Sequence, residues 1–297
     1  MSTCSVDAAR RVVIAGSERG QLFFELMRTV PDGVEAVALS DGGERVDITD
    51  KGTVARVLLE LKPDAVINAA AWTGVDTAEA DQEAARRVNT DGAAHLAAAA
   101  QSVGAWFGHV STDFVFGPGD GSPFATDAAT APMGVYGQTK LDGEMAVRKA
   151  CPDAAIVRTA WVYSSHGNNF VKTMLRLMND RDEIGVVADQ IGSPTWAKSL
   201  AQALWSATEQ RASGTFHWTG AGAASWYDFA VAILEEGRTL GLVSRDVDVR
   251  PLSTAEYPTP ASRPAYSVMD LVSTRAALGL NPSHWRADLR AMLGELT

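Results

Sequence analysis

The sequence predicts an α/β fold: a doubly wound parallel sheet followed by a smaller, mostly helical C-terminal part. Three observations carry that expectation. Short apolar runs alternate with helical patterns through the first half, as the strand–helix–strand units of a parallel sheet do. At 297 residues the chain exceeds the usual ~100–200 of one domain and has room for a large core. Beyond residue 160 turn signals crowd in (DQIGSPT, TGAGAAS, PLSTAEYPTPASRP) and strands become scarce.

In order, residues 11–15 (RVVIA) read as a buried strand, followed by a glycine-containing turn and an amphipathic run at 22–30. A second strand is expected at 34–39, and three more at 64–69 (DAVINA), 106–110 (WFGHV) and 154–157 (AAIV). Helical patterns fill the gaps at 51–61, 83–103 and 136–150, and return later at 197–210, 226–240 and 284–296. Two parts follow: 1–160, built on the sheet, and 161–297, positioned to roof the crevice beyond the strands' carboxyl ends. No linker separates them, so they are expected to pack as one body, with the second part able to return strands to the sheet.

Acidic residues outnumber basic ones 36 to 26, for a net charge of −10. Such a surface repels phosphate backbones and anionic lipid unless a local basic patch intervenes, and no run of Lys and Arg forms one. Nucleic acid and membrane surfaces are therefore not expected partners. Two cysteines, Cys4 and Cys151, cannot build a disulfide framework. The first residues carry no apolar stretch before Arg10 and Arg11, and no run approaches the ~18 apolar residues of a membrane span. A cytoplasmic location is the expectation.

The first turn reads Ala15-Gly16-Ser17-Glu18-Arg19-Gly20-Gln21-Leu22-Phe23. Glycines at a strand-to-helix turn let backbone amides approach a pyrophosphate. Phe23 stands where a third glycine would pack helix against strand, so alone the turn fits an ordinary connection as well as a cofactor loop. Tyr136-Gly137-Gln138-Thr139-Lys140 says more. A Tyr and a Lys four apart share one helix face, where the ammonium favours the ionised phenol and makes it a better proton donor. Thr112 and Asp113 directly follow an expected strand, as does Asn68 in NAAA, and Asn89 opens the next expected helix.

Together these motifs resemble the extended short-chain dehydrogenases/reductases, and most closely the dTDP-4-dehydrorhamnose reductases. The likeness runs through VDITD (46–50), HVSTDFVF (109–116), VYGQTKLDGE (135–144), RTAWVY (158–163), GNNF (167–170), DQIGSPT (189–195) and YPTPASRP (257–264). It implies a Rossmann-like fold and NADPH- or NADH-dependent reduction of the C4 ketone of a dTDP-4-keto-6-deoxysugar, dTDP-4-dehydro-L-rhamnose first among them. Tyr136 would be the proton donor, Lys140 its partner and the holder of the nicotinamide ribose, and Thr112 the third catalytic hydroxyl. Gly16, Gly20, Gln21 and Leu22 would bind the pyrophosphate, Asp47 and Ile48 the adenine side, and Ala71, Trp72 and Thr73 would wall the cofactor. Thr112, Asp113 and Trp161 would touch the sugar nucleotide, the indole offering a flat face.

The likeness leaves a homodimer open. It also extends to relatives that keep the pocket and serve as regulatory subunits of a methionine adenosyltransferase. Phe114 stands where the family often has tyrosine. Some members are thought to hold magnesium between glutamates; Glu25 and Glu295 match such positions but Lys198 replaces the remaining carboxylate, so no metal is expected. Asp41, just past the second strand, is expected to accept from the adenosine ribose, with Arg19 and Arg45 opposing it, so both cofactors are expected to be used with at most a modest preference for NADH. Phe23 and Glu18 are expected to weaken cofactor binding by ~1–2 kcal/mol.

Overall fold

Six strands, β1 (Arg10–Ala15), β2 (Val34–Ala38), β3 (Ala65–Asn68), β4 (Trp106–Thr112), β5 (Ala155–Thr159) and β6 (Gly214–His217), form one sheet in a computed structural model of the chain. The structure describes residues 9–297; Cys4 and the N-terminal segment read above lie outside the described residues. The order is β6-β5-β4-β3-β1-β2, every pair is parallel, and β6 comes from the second half of the chain. Alternating residues serve opposite faces. Val12 and Ile14 enter one core with Phe23, Leu26, Leu200 and Leu204, while Val13 and Ala15 enter the other with Val54, Leu58 and Leu96. Strands buried on both sides read as unbroken apolar runs, which is why the sequence exposes them.

The helices α1 (Gln21–Arg28) and α2 (Lys51–Leu61) cover opposite faces, and the Asp50 side chain caps α2 by accepting from the amides of Gly52 and Thr53. The chain leaves β1 for the edge strand β2 and returns to β3 on the other side of β1. Strand order reverses there, and the ligand crevice of such sheets opens at that reversal.

The helix expected over 83–103 is interrupted. A short helix, Gln82–Arg86, widens into a π-helical turn, Arg87–Gly92, before α3 (Ala93–Ser102). Asn89 explains the widening. Its amide turns inward, accepts from Trp72 N at 2.8 Å, and donates to Trp72 O at 3.2 Å and Thr139 Oγ1 at 3.1 Å. Asn89 thus lies within the helical run, tying the loop after β3 to α4 (Val135–Ala150). Two glycines allow α4 to come that close: a Cβ on Gly143 would lie 2.2 Å from Asn89 O, and one on Gly137 would lie 2.2 Å from Phe114 O.

The second half adds α5 (Phe170–Asp180), α6 (Ala197–Glu209), α7 (Trp226–Thr239) and α8 (Trp285–Gly294). Helix α6 joins α1 on the sheet, while α5, α7 and α8 close a separate core around Tyr163, Phe229 and Trp285. Helix α5 was not among the expected elements, although Val171, Met174, Leu175 and Met178 recur at helical spacing and are buried. Strands are also more frequent here than the turn-rich sequence suggests: Glu183–Val187 pairs in parallel with Asp248–Leu252.

Candidate active site

All fourteen residues expected to act line a single cleft of about 840 Å³ at the carboxyl ends of β1, β3 and β4. Gly16, Gly20, Gln21 and Leu22 form its floor at the β1–α1 turn, and Asp47 and Ile48 flank it after β2. Ala71, Trp72 and Thr73 follow β3, Thr112 and Asp113 end β4, Tyr136 and Lys140 face in from α4, and Trp161 follows β5. Residues up to 145 positions apart (Gly16 and Trp161) therefore meet at one rim.

The Thr112 hydroxyl donates to Asp113 Oδ1 at 3.1 Å and accepts from Phe114 N at 3.2 Å. Tyr136 is half-buried, with its ring edge-on to Phe114 at 5.5 Å between centroids. Burial pushes the phenol up to about 12, with Thr112 pulling it down and Asp113 adding to the rise. Lys140 departs from the expected arrangement. Its Nζ donates to Val110 O at 2.7 Å and lies 3.4 Å from His109 Nε2, so it is engaged behind the phenol and does not lower it. Lys140 is itself pulled down to about 8 by burial, against the opposing charge of Glu144.

Asp113 is 2% exposed, and burial raises its carboxyl to about 6 against hydrogen bonds from Ser267 and Thr112. Its Oδ2 meets no donor in hydrogen-bonding geometry, although Ser267 is close enough to soften the rise. Ser111 Oγ and Thr159 Oγ1, also on the cleft wall, are buried without partners. Unpaired buried polar atoms are costly, so a cluster of three at one cleft marks the place for a polar ligand.

Asp113 also yields a stability prediction. Its carboxyl is raised from 3.8 to about 6 in the folded chain, so the ionised form costs folding ~3 kcal/mol above pH 6. Asp113→Asn is expected to stabilise the protein by up to ~3 kcal/mol at pH 8, a gain that disappears as the pH falls from 6 towards 4 and the wild-type carboxyl protonates. Urea unfolding at both ends of that range measures it, and an equal gain at both would refute the ionisation argument.

The cofactor turn is tight. Gly20 N donates to Ser17 O at 2.7 Å, and a Cβ on Gly20 would lie 2.9 Å from that oxygen. The first amides of α1 thus open onto the cleft. Phe23 does not sit in the way as expected: it is 7% exposed, lies in the core with Val12, Ile14 and Leu26, and takes its room from Gly16, where a Cβ would come 3.2 Å from its ring. Glu18 is exposed and off the cleft wall; its backbone oxygen meets His166 Nε2 at 3.1 Å. Asp41 is drawn away into an ion pair with Arg56, while Arg19 and Arg45 line the cleft. Amides at a helix start, two arginines and a deep polar end are donors and acceptors that fit a dinucleotide.

A family model described as the RmlD substrate binding domain matches residues 10–297. The chain is 40% identical over 290 residues to the dTDP-4-dehydrorhamnose reductase of Burkholderia thailandensis, covering 93% of this chain and 95% of that one. It is 37% identical over 292 residues to that of Escherichia coli K12, covering 96% and 97%. A solved dTDP-4-dehydrorhamnose reductase from Bacillus anthracis, in complex with NADP, shares 35% identity and superposes with a TM-score of 0.90 over 96% of this chain and 99% of that one.

The chain belongs to the dTDP-4-dehydrorhamnose reductase family.

In this member of the dTDP-4-dehydrorhamnose reductase family, the end of the cleft expected to take the sugar has an aromatic wall. Trp161 adopts φ 48, a left-handed conformation uncommon for a large side chain, and its indole stacks on Trp226 at 3.6 Å and 8°. One face is therefore covered by a second indole, which the motif around Trp161 did not reveal. Gly192 packs against the same ring, since a Cβ there would come within 2.6 Å of it. Asn169 was also missed. It caps α5 by accepting from Lys172 N at 3.1 Å, and donates to Gln21 Oε1 at 3.0 Å, tying α5 to the cofactor turn. An Asn before an amphipathic run was the available signal.

Glu25 and Glu295 are already paired with cations of the chain itself. Arg28 donates to Glu25 at 2.7 Å and to Glu295 at 3.0 Å, and Lys198 reaches Glu295 at 3.3 Å. Among the described residues, no three His, Cys, Asp or Glu side chains are grouped to hold a metal, and no helix is long and apolar enough to cross a membrane.

Proposed function

We propose that this chain reduces the C4 ketone of dTDP-4-dehydro-L-rhamnose to dTDP-L-rhamnose, with NADPH or NADH as reductant. The observation that carries the reading is the meeting of Thr112, Tyr136 and Lys140 with the α1 turn in one cleft, in a chain aligned almost end to end with named reductases. The reduced nicotinamide supplies the hydride.

The protein supplies the proton and the geometry. Thr112 and Phe114 orient the Tyr136 ring, and the sugar lies between the phenol and the Trp161–Trp226 wall. A phenol near 12 enters each turnover with its proton in place. It remains a far stronger acid than the alcohol being formed, which is about as weak an acid as water (~15.7), so transfer to the developing alkoxide runs downhill. Asp113, in contact with Thr112, fixes the hydroxyl's orientation. Residues 1–160 would carry the cofactor and the Thr–Tyr–Lys group, and 161–297 mainly the sugar nucleotide. A cytoplasmic enzyme without nucleic-acid partners suits the acidic chain and its two cysteines.

The test is oxidation of NADPH and of NADH by the purified protein, with and without dTDP-4-dehydro-L-rhamnose, and identification of the product. Sugar-dependent oxidation giving dTDP-L-rhamnose is expected. Cofactor binding without any sugar-dependent oxidation would instead support a regulatory role, and turnover of a different dTDP-4-keto sugar alone would reassign the substrate.

A further inference from the structure

Behind α4 two buried side chains with no assigned part in the reaction, Asn68 and His109, lead to Lys140. Asn68 (1% exposed), His109 (0%) and Lys140 (2%) lie in a row. Asn68 Oδ1 accepts from Ala70 N at 3.0 Å, which fixes which end of its amide points where. The Nδ2 end therefore donates to His109 Nδ1, 3.1 Å away. A neutral imidazole that accepts at Nδ1 carries its proton at Nε2. His109 stays neutral, because full burial penalises the imidazolium and holds its pKa well below 6.5 even without a charged neighbour. The Nε2–H then faces Lys140 Nζ at 3.4 Å, and Lys140 also donates to Val110 O at 2.7 Å.

An ammonium in that position would set two donors against each other in a dry site. A neutral amine satisfies both contacts: one N–H goes to Val110 O, and its lone pair accepts from His109 Nε2–H. We propose that His109, fixed by Asn68, is a positioning residue that holds Lys140 as the neutral amine in the ligand-free protein, so that Lys140 takes up a proton only when a ligand in the cleft offers its nitrogen an acceptor. Other charges around Lys140 do not reverse this. Glu144, one turn along α4, is ion-paired with Arg158 of β5 at 2.7 Å; Tyr136 holds its proton; Asp113 accepts from Thr112 on the cleft side and makes no contact with Lys140. Burial lowers the ammonium's pKa to about 8, in the direction the hydrogen-bond argument requires, so the neutral amine is the prevailing ligand-free form above about pH 8.

The consequence for turnover rests on the reductase reading, but the protonation state does not, and it can be measured without cofactor. The chain has 6 lysines and 5 histidines, few enough for labelled-residue NMR. In protein carrying 13C-lysine, one Cε resonance should titrate well below the ~10.4 of ordinary lysines, and it should be missing from Lys140→Arg. The 15N shifts of His109 should report the Nε2–H tautomer. Asn68→Asp places an acceptor at Nδ1 and moves the imidazole proton there, so that Nε2 presents a lone pair with the ring in place; the Lys140 titration should then rise by ~1 unit or more. Asn68→Leu adds no charge and removes the fixing donor, so a rise there excludes a purely coulombic effect of the aspartate. Calorimetry of NADH binding near pH ~9 in buffers of different ionisation enthalpy should show close to one proton taken up by wild type and much less by Asn68→Asp. A His109 Nδ1–H tautomer, a Lys140 titration among the ordinary lysines, or a titration unmoved in both Asn68 variants would overturn the proposal. Failure of the sugar-dependent assay would leave these NMR results standing and strike only at the reductase reading.

Discussion

Tyr136→Phe is expected to lower kcat by ~10²–10⁴-fold while the protein folds and binds NADPH as wild type does. The substitution removes only the hydroxyl. Its ring still meets Phe114 edge-on, and α4 keeps its place, because Gly137, Gly143 and Glu144 make the close contacts that hold it. What is lost is the one proton positioned for the developing alkoxide. Thr112 cannot take over as donor, since its hydroxyl proton is committed to Asp113. Single-turnover rates and a calorimetric NADPH titration on the same preparation separate chemistry from binding. Turnover within a few-fold of wild type would show that the proton comes from elsewhere, whereas loss of cofactor affinity would mean that the phenol is a binding group.

Arg158→Met is expected to cost ~3–5 kcal/mol of stability, the range found when one partner of a buried ion pair is removed. Arg158 and Glu144 are 5% and 3% exposed, and join through two hydrogen bonds of 2.9 and 2.7 Å. Arg158 also lies 5.1 Å over the Phe116 ring and donates to Thr126 O at 3.3 Å. Without it, Glu144 is left as an uncompensated charge one turn from Lys140. Because α4 docks on β5 through this pair, kcat is expected to fall along with stability. The double variant Arg158→Met/Glu144→Leu removes both charges and should recover most of the lost stability, because apolar replacement of a buried pair is often neutral or better. Urea midpoints of the three proteins decide it. A single variant losing less than ~1 kcal/mol would show that water reaches the site and screens the carboxylate.

Much of this was legible before any coordinates. Strands β1, β3, β4 and β5 are largely buried on both faces, so their apolar runs stand out whatever their neighbours are, while β2 is a partly exposed edge. Helix α2 carries its start signal in Asp50, and its bounds match the sequence reading. The site residues were legible because they sit at fixed offsets from strand ends and helix starts, and the topology brings those ends to one rim. The missed elements depend on partners far away in the chain. Strand β6 is a four-residue edge that exists only beside β5, and the π-helical turn forms because Asn89 finds Trp72 and Thr139.

The sequence by itself determined the sheet, its crossovers and the identity of the groups around the cleft, because burial pattern, capping and strand-end position are local properties. Tertiary structure alone decided how those groups behave. Only packing turns Phe23 into the core beside Gly16, draws Asp41 to Arg56 and lays Trp226 over Trp161. Burial in the folded chain raises Tyr136 and Asp113 and lowers Lys140, and the contacts with Val110 O and His109 engage the Lys140 nitrogen away from the phenol. The reason is physical. A residue's type fixes which protons and charges it can carry, while the dielectric and the hydrogen-bond partners that select among those states come from segments that meet only in the folded chain.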